Sequence, residues 1–220
     1  MSVGILFDLD GTLLDTLEDL TDCTNYALRQ FGYPQRSMEY VRRIVGNGAL
    51  RQISLAVPDG EDPEPVLDVY LKYYAGHCRN KTAPYAGIPG AVSDLSAHYP
   101  TAIVSNKPDS AVKILCAEFF PGIPALGVTD ICPRKPAPDM VYQALEAIGA
   151  EHGIYVGDSE VDLLTAANAK MPCISVLWGF RNADMLLDAG AGYLCGSPDR
   201  LTALIEQIRK EYKWQMNSTL

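Results

Sequence analysis

The sequence predicts an α/β protein, a doubly wound parallel sheet carrying an inserted α-helical cap. Three observations carry this expectation. The run Val3-Gly4-Ile5-Leu6-Phe7 is the near-continuous apolar stretch of a strand buried on both faces. Beyond residue 100, similar short runs alternate with helical segments, the rhythm of a Rossmann-like sheet. Between them, residues 16–83 carry helical spacing and no strand pattern. The expected division is therefore an α/β core of residues 1–15 and 84–220 and a helical cap of residues 16–83.

Each element has its own signal. Thr16-x-x-Asp19 reads as a capping box. Leu17, Leu20, Thr24, Ala27, Leu28 and Phe31 then share a helical face until Gly32-Tyr33-Pro34. Ser37 caps a second helix through Ile44, which Gly46-Asn47-Gly48 breaks. A third helix runs from Ala49 to the turn Pro58-Asp59-Gly60, and a fourth covers Glu64 to Cys78. Residues 84–90, rich in proline and glycine, read as the return linker. Strands follow at 101–104, 125–128, 154–156 and 173–177, with a short edge strand at 192–194. Helices follow at 108–119, 139–148 and up to Ala169, and Leu201, Leu204, Ile205 and Ile208 mark a closing amphipathic helix. The hinge between core and cap is expected at Asp15-Thr16 and Ala83-Gly87, where the chain crosses.

Composition narrows the function. The 220 residues are 48% hydrophobic and 20% charged, with a net charge of −9. An acidic chain is a poor partner for nucleic acid or an anionic membrane. If it binds an anion, positive charge must be concentrated locally or carried by a metal. The six cysteines show no zinc-type spacing and read as reduced core thiols. No signal-peptide pattern or membrane-length apolar run is present, so a cytoplasmic protein is expected. The sequon Asn217-Ser218-Thr219 carries no meaning without secretion.

Chemistry gathers where strands end, the place where ligands bind in open α/β sheets. The first strand runs into Asp8-Leu9-Asp10-Gly11-Thr12. Two carboxylates spaced i, i+2 on an extended backbone point to one side. Later strand ends bring Ser105 and Asn106, then Lys135, then Asp158 with Asp162 one helical turn on. Several acids gathered in one crevice would repel one another and any anion, so a dication is needed, and hard oxygen ligands point to Mg²⁺. His77, His98 and His152 lie in no motif, and Trp178, Gly179 and Phe180 are assigned to core packing rather than to the pocket edge.

The run DLDGTLLDT resembles the signature of the haloacid dehalogenase superfamily of aspartate-nucleophile phosphotransferases, in the branch with Asp at both positions. The four strand-end loops match that superfamily's motifs in order. The resemblance implies that Asp8 attacks phosphorus and that Asp10 is general acid, then general base. It implies that Thr12, Ser105, Asn106 and Lys135 hold the phosphoryl group. It also implies Mg²⁺ on the Asp8 carboxylate, the Asp10 carbonyl and the Asp158 carboxylate, with Asp162 behind them. Lys107 is a rival for the lysine role, and Arg134 shares the charge or faces solvent.

Within the superfamily, Val45-Gly46-Asn47-Gly48-Ala49-Leu50-Arg51 resembles the cap loop of phosphoglycolate phosphatases, as do the runs SNKPDSAV, KPAPDM and VGDSEVDLLTAANA. The substrate implied is a small phosphorylated metabolite, 2-phosphoglycolate first, with the amides of Gly46, Asn47 and Gly48 and the Arg51 side chain receiving its carboxylate. The chain is expected to act as a monomer or homodimer. A sugar-phosphate mutase of the same superfamily and a non-catalytic phosphate-binding regulator are the alternatives. A dehalogenase is disfavoured, since that branch lacks the second acid supplied here by Asp10.

Overall fold

Ile5 and Phe7 point to one face of strand β1 (Val3–Phe7) and Leu6 to the other, and all three are fully buried. That strand is the centre of the computed structural model, which describes residues 2–212. The predicted sequon at residues 217–219 lies outside the described residues.

Two very short strands, β2 (Leu14–Asp15) and β3 (Ala83–Pro84), pair antiparallel where the chain leaves for the cap and returns. Between them lie α1 (Leu17–Gln30), α2 (Met38–Ile44), α3 (Ala49–Ala56) and α4 (Glu64–His77). The remaining strands are β4 (Thr101–Pro108), β5 (Ala125–Val128), β6 (His152–Gly157), β7 (Cys173–Val176) and β8 (Tyr193–Cys195). The main sheet is parallel, in the order β5-β4-β1-β6-β7-β8. Strand order therefore reverses beside β1, with β4 on one side and β6 on the other. This is the crevice where such sheets bind ligands.

Helices cover both faces. One face packs Ile103, Ile154, Val156 and Ile174 against α5 (Ile88–His98), α6 (Asp109–Phe119) and α10 (Leu201–Glu211), and the cap's apolar side chains join the same core. The other face packs Leu6, Val104 and Tyr155 against α7 (Asp139–Ala147) and α8 (Glu160–Asn168). All six cysteines are buried and unpaired. No helix among the described residues is long and apolar enough to cross a membrane.

Three expectations are corrected. The return linker is shorter than predicted, because Gly87, in the left-handed region with φ +86, caps α5 and Pro89 sits in its first turn. Proline there starts a helix rather than a loop, since its missing N–H has no intrahelical partner to lose. A second unpredicted helix, α9 (Ala183–Asp188), is capped by Asn182. Thr16 and Asp19 form no capping box: Thr16 makes no side-chain cap bond. Asp19 is buried and accepts instead from the backbone N–H of Lys81 and Thr82 and the Thr82 hydroxyl, tying α1 to the returning chain.

Candidate active site

Burial and charge meet at the carboxyl end of β1. The Asp8 carboxylate there is 2.8 Å from Lys135 Nζ through its Oδ1. The same ammonium bonds Asp162 Oδ1 at 2.8 Å and the Tyr155 hydroxyl at 3.1 Å. Lys135 is 2% exposed, a burial that lysine tolerates only when paired. Burial acts to lower its pKa, but the charges of Asp162 and Asp8 outweigh that and hold it well above the ordinary lysine value.

Asp158 follows β6. Its Oδ2 accepts from the Phe180 N–H at 2.6 Å, and its Oδ1 lies 3.5 Å from the Thr12 hydroxyl. Asp162 Oδ2 accepts from the Asp158 and Ser159 N–H groups and the Ser159 hydroxyl, closing a capping box at the head of α8. Asp162 is thereby committed to anchoring Asp158 and Lys135. Ligand oxygens of Asp8, Asp158 and Asp162 lie within 4.8 Å of one another, all buried. Burial pushes Asp8 up to about 7, with Lys135 opposing and the neighbouring acids adding to it. Asp158 is raised well above the carboxylate range, by burial and then by Asp162 and Asp8. A trio of carboxylates against one ammonium leaves excess negative charge, and this all-oxygen set suits a hard dication.

A second ion pair sits beside the first. Asp10 Oδ1 lies 2.9 Å from Lys107 Nζ and accepts from the Thr16 hydroxyl at 2.7 Å. Lys107 also donates to the hydroxyl of Tyr74 on cap helix α4, over whose ring its ammonium lies at 4.7 Å. The two lysines raised as rivals thus hold different acids, Lys135 with Asp8 and Lys107 with Asp10. Arg134 is exposed.

Ser105, 1% exposed, lines the cavity between core and cap. Asn106 is placed differently from its expected role as a phosphate donor. One side-chain N–H goes to Gly46 O and one to Lys135 O, both at 3.0 Å, while Oδ1 accepts from Lys135 N–H at 2.8 Å. An amide has only two N–H donors, so Asn106 fixes the Lys135 backbone and clasps the cap. Thr12 is fully buried, with its hydroxyl toward Asp158.

The cap loop approaches from above. Gly46 and Gly48 line the cavity in the left-handed region, at φ +112 and +83, and a Cβ on Gly48 would meet Asn106 O at 3.4 Å. Asn47 is not among the lining residues. Arg51 is corrected: it is exposed and off the cavity, because α3 turns Ala49 and Gln52, three residues apart, toward the core. Gln52 is 4% exposed and lines the pocket.

Phe180 packs in the core and Trp178 against it, as expected, and none of residues 178–180 lines the cavity, but their nitrogens hold residues of the site. Trp178 Nε1 donates to Thr12 O at 2.9 Å, and Phe180 N–H holds Asp158. A Cβ on Gly179 would meet Asp158 Cβ at 2.3 Å and Gly11 O at 2.4 Å, so only glycine fits. Sequence reasoning missed Arg181 altogether. Its guanidinium, buried against Glu160, donates to Arg42 O at 2.9 Å and Val45 O at 3.0 Å, fastening the end of α2 to the core. Its sequence neighbourhood gives no sign of this, because both carbonyls lie more than a hundred residues away in sequence.

Comparison with known proteins agrees with this geometry. The sequence model of the haloacid dehalogenase-like hydrolases matches residues 5–176. A phosphoglycolate phosphatase of Rhodobacter capsulatus is 31% identical over 196 residues, covering 84% of this chain and 89% of that protein. A phosphoglycolate phosphatase of Xanthomonas campestris pv. campestris is also 31% identical, covering 82% and 86%. Among solved structures, a candidate phosphoglycolate phosphatase of Lactobacillus delbrueckii subsp. bulgaricus superposes with a TM-score of 0.86 at 35% identity, over 93% of this chain and 98% of that one. With the match running from the first sheet strand to the last residue of β7, the chain belongs to the haloacid dehalogenase-like hydrolase family.

Proposed function

We propose that this hydrolase is a magnesium-dependent phosphatase that acts on a small phosphorylated metabolite, 2-phosphoglycolate first, through a phosphoryl group carried on Asp8. The observation that carries the reading is Asp8 itself. Its Oδ1 is taken by Lys135, its Oδ2 has no hydrogen-bond partner among the described residues, and the side chain lines the same cavity as Asp10.

Asp8 Oδ2 attacks phosphorus as the bond to the leaving oxygen breaks, and Asp10 gives that oxygen its proton. Asp10, now ionised, takes a proton from water as the water attacks the phosphorus on Asp8, and Asp8 departs as a carboxylate. Ser105 donates to phosphoryl oxygens, while Lys135 offsets charge on Asp8 and the transferring group. Asn106 and Asp162 keep Lys135 in place. A Mg²⁺ ion held by the Asp8 and Asp158 carboxylates would neutralise charge on the phosphoryl oxygens. Residues 16–83 act as the cap, and the paired crossings at β2 and β3 as its hinge. The relatives named phosphoglycolate phosphatase support the choice of substrate. Six unpaired thiols support a reducing compartment such as the cytoplasm.

Phosphate release from a panel of phosphorylated metabolites tests this. Release from phosphoglycolate is expected with Mg²⁺, lost on chelation and restored when the ion returns. Silence on every compound would favour a regulator. Transfer to a sugar without free phosphate would favour a mutase.

Stability offers a check without turnover. Without a dication, Asp8 is raised from 3.8 to about 7 in the folded state. Between those values the folded protein keeps a proton that the unfolded chain has lost, so stability is highest below the lower value and falls as pH rises toward the upper one. Mg²⁺ at neutral pH is expected to recover part of the loss. Thermal melts across this range, with chelator and with Mg²⁺, read both effects; a melting temperature indifferent to pH and to the ion would contradict the account.

A further inference from the structure

The cap wall of the cavity holds polar groups that the phosphoryl step does not use. Tyr70 on α4 is 2% exposed, lines the cavity and stacks on Tyr74 with ring centroids 5.3 Å apart. Its hydroxyl has no hydrogen-bond partner among the described residues. Burial holds this phenol protonated, and it lies close enough to Lys107 and Asp10 to feel both charges. The hydroxyl opens onto the cavity, where a ligand can accept its hydrogen bond.

Gln52 stands nearby in the same wall. One of its amide N–H groups goes to Thr24 at 2.8 Å, leaving the other without a partner among the described residues. Lys107 carries three donors, of which Asp10 and Tyr74 take two. Three donors from cap and core, one of them cationic, therefore converge on one small space. That space lies between cap and core beside Asp8 and Asp10.

We propose that Tyr70, Gln52 and Lys107 form the leaving-group subsite, and that it takes a short leaving group ending in a carboxylate. Lys107 pairs with that carboxylate, and Tyr70 and Gln52 donate to it. The assignment rests on the phosphatase reading and deepens it, placing substrate choice on the inner face of α3 and α4 rather than on Arg51. A sugar leaving group presents no carboxylate to Lys107.

The test compares phosphoglycolate with ethyl phosphate, which has a methyl group in place of the carboxylate. Wild type is expected to prefer phosphoglycolate, and Tyr70→Phe, which removes one oxygen, to lower the ratio of the two kcat/KM values about tenfold, chiefly through KM. A second measurement needs no variant: glycolate should inhibit wild-type hydrolysis of para-nitrophenyl phosphate competitively, and ethylene glycol at least about tenfold more weakly. An unchanged ratio in Tyr70→Phe, or equal inhibition by the two alcohols, would overturn the subsite while leaving the phosphatase standing. No release from any ester by wild type would instead overturn the phosphatase reading, and the subsite with it.

Discussion

Asp8→Asn is expected to lower phosphate release by on the order of 10⁴-fold or more, because the amide keeps the shape of the side chain but is no nucleophile. The variant should fold. Asp8 is a carboxylate that burial already pushes up to about 7, so a neutral isostere relieves a strained charge in the absence of a dication. Melting of the chelated variant at neutral pH should therefore match or exceed that of wild type, while steady-state release collapses. Activity retained near the wild-type level would remove Asp8 from the chemistry. A variant that fails to fold would contradict the electrostatic account of the site.

The second large effect is Lys135→Met. Its ammonium is the bonded counter-charge of Asp8 and Asp162, and all three groups are buried. Removing one partner of a buried ion pair leaves the other uncompensated, which costs about 3–5 kcal/mol. Activity should fall with stability, since nothing then offsets charge on Asp8 or on the transferring phosphoryl group. Denaturant unfolding at neutral pH reads the first effect. A loss under about 1 kcal/mol would mean that these carboxylates are held by something other than Lys135. Lowering the pH should restore part of the stability, because Asp8 and Asp158 then take up protons.

How far the sequence carries the argument depends on the range over which each cause acts. β1 and its two acids are legible because a buried parallel strand is an unbroken apolar run, and a carboxylate at its end interrupts the pattern visibly. The cap helices are legible from spacing alone. Asn106 and Arg181 are not, because their side chains bond to backbone carbonyls far along the chain, and a carbonyl leaves no trace in the residue type. Arg51 misled for a related reason. Charge draws attention in a sequence, but the phase of α3 decides which residue meets the cavity, and it favours Gln52. Thr16 followed by Asp19 carries the pattern of a capping box, yet the tertiary partners at Asp10, Lys81 and Thr82 take both side chains. Lys107 and Lys135 compete for one role in the sequence because residue type does not show which acid each meets, whereas in the fold Asp8 and Asp10 each have their own lysine.

The most direct test is to trap the phosphoryl group. Wild-type protein is mixed with Mg²⁺ and radiolabelled phosphoglycolate and quenched in acid within a turnover, and the labelled peptide is mapped. The account predicts label on the peptide that carries Asp8, sensitive to hydroxylamine as an acyl phosphate is, and none in Asp8→Asn. Label on another residue, or full turnover with no labelled protein at any quench time, would contradict it.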